Sequence, residues 1–426
     1  MTDPVATSSA VTHEGTGEPQ LDVCLATPLF YPEYSGAGLR LQRYAPGLRA
    51  RGVSMHVVVP AIGARKKSRR YVGTGDGESG LPTPDPELQI HRVPTPTGAR
   101  GWRARRLHEA AVMARCEEAS TRPDLVIWLG LSPYSAPNLL RLRRQGIPSI
   151  YIATIVKQLS RPGLKQRIKR FYWPLRYRFV DCVMVGSSVM RDSLRELGVK
   201  TRIEVITHGV NLERFRPDPV SPGHSPARLR LGLDADSEMV LFIGPIHQRK
   251  GLDYLAAAWD RVAAERPKAH LVLVGPERAE SAEGSEPFGT QLRATLSRGS
   301  GGDRVSFVGP VDDPEEYLRA ADLLVFPSHR EGMPNVVCEA FASGLACVLT
   351  PFLGLPEEFG RPDEQYVLVE HDAGLLAQSI SSLLADDERR AALGRAARRW
   401  AVEHLDLEKS LDRMSAICRE LAENSQ

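Results

Sequence analysis

EGMPNVVCEAFASG, residues 331–344, stands between two apolar runs, LLVF at 323–326 and ACVLT at 346–350. Both runs have the length and residue types of buried parallel strands. Between them the pattern predicts an exposed turn over 329–333 and a helix starting near Pro334 or Asn335. Proline suits the first helical turn, and asparagine is a good N-cap. Gly344 supplies the stop before the next strand. Glu331 is thereby placed in the loop at the carboxyl end of a strand, where open α/β sheets bind ligands. Glu339 falls about one turn inside the helix, whose free amino-terminal N–H groups suit phosphate. Carboxylates are poor phosphate ligands but good acceptors for sugar and ribose hydroxyls. Acids and helix end together imply a pocket for a nucleotide sugar. Taken alone, the two glutamates would be solvated side chains on a surface helix.

Working outward, the alternation of strand and helix continues in both directions. After this segment a strand fits 366–369 and a helix 373–384; before it, strands fit 240–243, 270–274 and 305–308, with a helix over 252–265. In the first half strands fit 21–26, 55–59, 125–129, 149–153, 182–185 and 203–206, with a helix over 39–50 stopped by Gly52. Residues 61–100, rich in Pro, Gly and Arg, read mostly as loop. RFRPDPVSPGHSPAR at 214–228, dense in Pro and Ser, has the composition of a linker. The expected architecture is α/β: two doubly wound, Rossmann-like domains facing a central cleft. The expected boundaries are a disordered tail over 1–20, a first domain over 21–215, a second over 216–395, and terminal helices over 396–426.

The segment PSHREGMPNVVCEAFASGLACVLT, 327–350, resembles the donor-binding signature of family-four glycosyltransferases, retaining enzymes of the two-domain GT-B fold. The resemblance covers most of residues 21–420 and is strongest from 239 to 350. It implies that Glu331 bonds the donor sugar's hydroxyls and Glu339 the ribose. It also implies that the amides from Asn335 through Val336 to Val337 face the diphosphate, with Gly332, Met333 and Pro334 completing the loop. A last helix crossing back onto the first domain is likewise an implication of the resemblance. So are retention of anomeric configuration, independence from metal, and the absence of any cofactor beyond the nucleotide-sugar substrate. In such enzymes the leaving phosphate assists the acceptor's deprotonation on one face of the sugar, so Glu331 would position the sugar and not attack it.

Other segments add to the site. SGAG at 35–38 lies between a strand and a helix; Gly36 and Gly38 let backbone approach a phosphate, or simply make a tight turn. By position it is similar to the glycine loop that the family sets against donor and acceptor. GPIHQRKG at 244–251 follows the first strand of the second half. Gly244 permits the turn, Lys250 offers a point charge and Arg249 a fork to a diphosphate; the alternative is a solvated basic turn. The family pattern has arginine directly after the first glycine, where this chain has Pro245. A second departure is Thr154, where family members commonly carry histidine; threonine can donate one hydrogen bond but takes no proton at neutral pH. His208, in VITHGVNLERFRP at 205–217, is a secondary candidate bordering the cleft, and a structural role is the alternative.

Composition is that of an average globular protein, 42% hydrophobic and 25% charged over 426 residues. No apolar run approaches the ~18 residues of a membrane span. The six cysteines are scattered without a CxxC pair, as expected for buried thiols of a cytoplasmic protein. The net charge of +3 conceals an asymmetry: residues 1–200 hold 30 Lys/Arg against 16 Asp/Glu, and the remainder 25 against 36. A basic first half attracts anionic surfaces or acceptors. GLKQRIKRFYWPLRYRF at 163–179 mixes Lys165, Arg167, Lys169 and Arg170 with Trp173. That composition fits either a peripheral contact with the inner face of an anionic membrane or a solvated helix with its aromatics turned inward. No nucleic-acid reading module accompanies the charge, and no Asp-x-Asp metal pair sits at a strand's carboxyl end.

The expected activity is transfer of a sugar from a nucleoside diphosphate to a hydroxyl acceptor, either lipid-linked, a polysaccharide precursor or a small molecule. Two other readings remain: a GT-B sugar-nucleotide epimerase, and a GT-B protein that binds nucleotide sugar without catalysis. A dinucleotide-dependent dehydrogenase fits less well, because SGAG lacks the third glycine and has no matching acid after the next strand.

Overall fold

The computed structural model describes residues 20–33, 35–61, 71–72, 83–94, 102–132, 135–155, 174, 177–217, 226–278 and 288–425. Its first half holds β1 (Leu21–Ala26), β2 (Val53–Pro60), β3 (Tyr71–Val72), β4 (Ile90–Val93), β5 (Leu125–Trp128), β6 (Ser149–Ile152), β7 (Cys182–Val185) and β8 (Arg202–Val205). Seven of these form one parallel sheet in the order β4-β2-β1-β5-β6-β7-β8. The second half holds β9 (Glu238–Ile243), β10 (Ala269–Val274), β11 (Glu277–Arg278), β12 (Val305–Gly309), β13 (Leu323–Phe326), β14 (Cys347–Leu349) and β15 (Val367–Leu368). Six form a second parallel sheet, β12-β10-β9-β13-β14-β15, while β3 and β11 pair antiparallel between the halves. In each sheet the order reverses beside the first strand of the half, the arrangement that opens a ligand crevice at the carboxyl ends.

Continuous apolar runs place the strands, because both faces of a parallel sheet are covered. All four residues of β5, β7 and β13 are buried, as are Met239 to Phe242 in β9. The expected strands are all present, with ends moved by a residue or two. Two strands lie where loop is expected: Tyr71–Val72, which pairs with β11, and Ile90–Val93, which adds to the sheet edge by pairing with β2, Val57 opposite Ile90. Four half-buried residues between proline-rich stretches are too short for a legible period.

Among the helices are α1 (Gly36–Arg49), α2 (Leu252–Glu265), α3 (Asn335–Ala342), α4 (Ala373–Leu384), α5 (Asp387–His404) and α6 (Leu407–Glu423), of which α1 and α3 border the cleft between the domains. Helix α1 starts three residues earlier than expected from the sequence. Ser35 caps it by accepting from the Gly38 N–H at 3.1 Å, which draws the small residues into the first turn. Helix α5 runs without a break through the expected boundary at 395/396.

Helix α6 does cross back. Leu411, Met414, Ile417, Cys418 and Leu421 join the core formed by Val23, Leu25, Leu41 and Leu48 of the first domain. Arg51 on the first domain meets Glu408 and Asp412 of α6, each at 2.7 Å. The other face of the first sheet and the whole second domain have their own cores. All six cysteines are free and buried. Among the described residues no helix is long and apolar enough to cross a membrane.

Candidate functional site

A cavity of about 310 Å³ opens between the two domains at the carboxyl ends of both sheets, within the size range of small-molecule sites. Its second-domain wall begins at Gly251. This residue has φ +67°, and a Cβ there would stand 1.8 Å from the Pro327 carbonyl oxygen. Only glycine fits, so the turn after β9 lies directly on the loop after β13. That contact brings Lys250, from the short 3-10 turn Gln248–Lys250, to Glu331. Lys250 Nζ donates to Glu331 Oε1 at 2.9 Å, Arg249 Nη1 donates to the same oxygen at 2.7 Å, and Ser328 Oγ at 2.6 Å. Both Lys250 and Glu331 are buried, 7% and 8% exposed.

The charges tune one another. Burial pushes the Glu331 carboxyl up, but Lys250 and Arg249, with the Ser328 hydroxyl, outweigh it and hold its pKa below the usual carboxylate range. Burial lowers the Lys250 ammonium, Glu331 opposes that, and Arg249 adds to it. A buried amine beside a second cation is primed to take further negative charge.

Helix α3 forms the next part of the wall. Its N-cap is Pro334, with no side-chain cap, so Asn335 is the first helical residue and not the cap expected from the sequence. The Asn335 side chain instead reaches across the cleft, where Nδ2 donates to the Gly36 carbonyl at 3.3 Å. The Val337 N–H is already committed to Pro334 O at 3.2 Å, and its side chain lies in the core. The amides of Asn335 and Val336 are therefore the ones at the tip of the helix. The amino ends of α1 and α3 both border the cavity, which gives it two positive dipole ends.

On the first-domain wall, Gly36 and Thr154 line the cavity. Gly38 does not: it is buried under the α1 cap, where a Cβ would press on Ser35 and Phe30. Gly332 lies where the two domains approach each other closely. A Cβ on it would stand 2.6 Å from the Thr154 carbonyl oxygen, so glycine here lets the Glu331 loop lie against the end of β6. Gly244, Pro245, Met333 and Pro334 also line the cavity, and so does His208, as expected from sequence, packed into space left by Gly186. Burial, with Arg40 nearby, holds its imidazole well below its ordinary pKa despite the approach of Asn335 and Met333, so the ring is neutral.

Glu339 is not free in the cleft. Arg43 of α1 donates to its Oε1 at 2.5 Å, an ion pair across the two domains. Neither Arg43 nor Arg40 figures among the residues expected from sequence. Their signal is the spacing Gly36, Arg40, Arg43, i, i+4 and i+7, which puts all three on one face of α1. Ser328, the hydroxyl that orients Glu331, is a third such residue. Lys165, Arg167, Lys169, Arg170 and Trp173 lie outside the described residues. Among the described residues no cluster of three His, Cys, Asp or Glu side chains could hold a metal ion.

Two family models match successive parts of the chain. Residues 34–214 match the one described as Glycosyltransferase Family 4, and residues 237–386 the one described as Glycosyl transferases group 1. The chain belongs to glycosyltransferase family 4. This family-four chain is 37% identical over 199 residues to the D-inositol 3-phosphate glycosyltransferase of Segniliparus rotundus, covering 46% of the chain and 42% of that protein. It is 37% identical over 209 residues to the enzyme of the same name from Thermobispora bispora, covering 47% and 46%. The match spans less than half the length of each of these relatives. Among solved structures it is similar to sucrose-phosphate synthase from Thermosynechococcus elongatus, with a TM-score of 0.71 at 21% identity over 94% of this chain and 99% of that one. It is also similar to Anabaena HepE in complex with UDP-glucose, with a TM-score of 0.69 at 16% identity over 94% and 100%. These likenesses establish a shared GT-B fold.

Proposed function

We propose that the protein transfers a sugar from a nucleoside diphosphate to a hydroxyl acceptor, with retention and without a metal. The observation that carries this reading is the convergence of Lys250, Arg249 and the α3 tip on one inter-domain cavity that also holds Glu331 and Glu339. Departing diphosphate needs its developing charge neutralised, and two cations with two helix ends supply positive potential for it. Glu331, held by three donors on one oxygen, keeps its other oxygen for a sugar hydroxyl. Glu339 takes the ribose once Arg43 yields. The acceptor enters along Thr154, whose hydroxyl is suited to orientation and not to proton removal. In this reading the leaving phosphate receives the acceptor's proton, as the family resemblance implies.

The names of similar proteins support a nucleotide-sugar donor and a sugar-like acceptor. The boundaries near 215 and 395, the cytoplasmic setting and a peripheral membrane contact through Lys165, Arg167, Lys169, Arg170 and Trp173 belong to the same proposal. A thermal-shift screen with UDP, GDP, ADP and TDP sugars selects the donor, followed by assay of nucleotide release with and without a hydroxyl acceptor. Acceptor-dependent release is expected. Conversion of the donor alone into an isomer would instead support an epimerase, and binding without any turnover a non-catalytic protein.

A further inference from the structure

A second cavity, of about 230 Å³, lies behind the Arg43–Glu339 pair and shares that pair as a wall with the cleft. Three guanidinium groups line it, Arg40, Arg43 and Arg214, against a single carboxylate, Glu339. Two of the three have partners. Arg43 is held by Glu339 at 2.5 Å and Arg214 by Glu315 at 2.8 Å; both also face the Phe215 ring, 5.8 and 5.6 Å from its centroid. Arg40 makes no ion pair and no hydrogen bond among the described residues. Burial pushes its pKa down, and no carboxylate is among the groups acting on it. A guanidinium nevertheless stays charged at any physiological pH. Nearby, the Nε atoms of Arg43 and Arg214 and the Nδ1 of His208 are buried without partners.

Arg40 is half-buried at the cavity wall, so an anion entering there meets a cation that no carboxylate among the described residues neutralises. The cavity is smaller than the range of about 300–1,000 Å³ typical of drug-sized ligands, so a small group suits it. We propose that this cavity binds a small dianion, a phosphate or the phosphate of a monoester, on the fork of Arg40 with help from Arg43. An anion there competes with Glu339 for Arg43 and so releases Glu339 for ribose. Anion and donor then favour each other's binding by the same factor. That linkage rests on the donor reading above; the anion site does not.

The test is calorimetric titration of the full-length chain with inorganic phosphate and, separately, with glucose 6-phosphate, at low fixed ionic strength and without donor. Arg40→Gln is expected to weaken binding about tenfold or more, the loss typical of one charge-assisted contact. Arg389→Gln removes the same charge far from the cavity and is expected to change nothing. Arg40→Lys keeps the charge and loses the fork, and gives an intermediate loss should the glutamine variant fail to fold. Glucose 6-phosphate binding as tightly as phosphate or tighter supports a monoester ligand, and phosphate binding alone supports the free ion. The proposal is overturned when neither binds, when neither Arg40 variant weakens binding, or when Arg389→Gln weakens it equally. Repeating the titration with saturating nucleoside diphosphate then reads the linkage separately: phosphate binding with no gain from nucleotide leaves the anion site standing and removes the coupling.

Discussion

On the second-domain side of the cleft, three donors meet on one oxygen of Glu331, and every one comes from within the same domain. On the first-domain side, Arg40 has no such partner among the described residues, and Arg43 reaches across to Glu339 to find one. One wall is complete by itself, whereas the other is completed by its neighbour or by a ligand. The contrast assigns different work to the two walls. A pre-formed wall holds its geometry without a substrate, which suits positioning of the donor sugar. A wall with exchangeable partners changes its contacts when a ligand arrives, which suits sensing of what enters.

The largest effect that sharpens this contrast is expected at Glu331. Glu331→Gln leaves Lys250 beside Arg249 without a carboxylate, which is expected to cost about 3 kcal/mol of stability, the lower end for breaking a buried pair. It also frees the sugar, with kcat expected to fall about a hundredfold. Steady-state kinetics with chemical denaturation measures both; unchanged turnover would separate Glu331 from the reaction.

Next comes the contact that joins the walls. Gly332→Ala drives a methyl into the Thr154 carbonyl, with an expected cost of about 1–3 kcal/mol in stability, measured by chemical denaturation, as for other overpacked sites. A variant as stable as the wild type would mean that the domains do not close this tightly in solution. Lys250→Ala is expected to raise the donor's Kd about tenfold by loss of one charge-assisted contact, measured by calorimetry.

Arg43→Met breaks the exchangeable wall. The ligand-free protein is expected to melt earlier, because Glu339 loses its partner, and the rise in Tm on adding donor is expected to be larger than in the wild type. An equal rise in both would mean that Arg43 does not compete for Glu339.

The smallest effect concerns pH. The folded-state pKa of His208 lies well below its unfolded value of about 6.5, so between the two the unfolded chain binds the extra proton. Its contribution to stability is present above about pH 6.5 and is lost as pH falls. His208→Asn is expected to flatten the fall in denaturation midpoint between about pH 6.5 and 5; the same slope in both proteins would show that His208 is not the group responsible.

The completed wall was also the legible one. A strand, a proline-serine loop, an acid-glycine pair and a short helix are consecutive in sequence, so Glu331, Asn335 and Glu339 could be placed from local rules alone. The Lys250 contact was partly legible, since GPIHQRKG marked a basic turn but not the loop after β13 that it touches. The first-domain wall was not. Arg43 meets Glu339 only because the two domains face each other, and nothing local in either segment encodes that distance. Gly38 misled because a cap at Ser35 turns a glycine loop into a helix start, and Val337 because its amide finds Pro334. The fold itself, apart from the short strands Tyr71–Val72, Ile90–Val93 and Glu277–Arg278, followed from apolar runs that both faces of a parallel sheet require.

The most direct test of the donor site is the structure of the chain bound to the tightest nucleoside diphosphate sugar from the screen. The account predicts ribose on Glu339 with Arg43 displaced, diphosphate at Lys250 and the Asn335–Val336 amides, and the sugar against Glu331. A nucleotide bound elsewhere, or one bound with Arg43 still on Glu339 and no contact to Glu331, would contradict it.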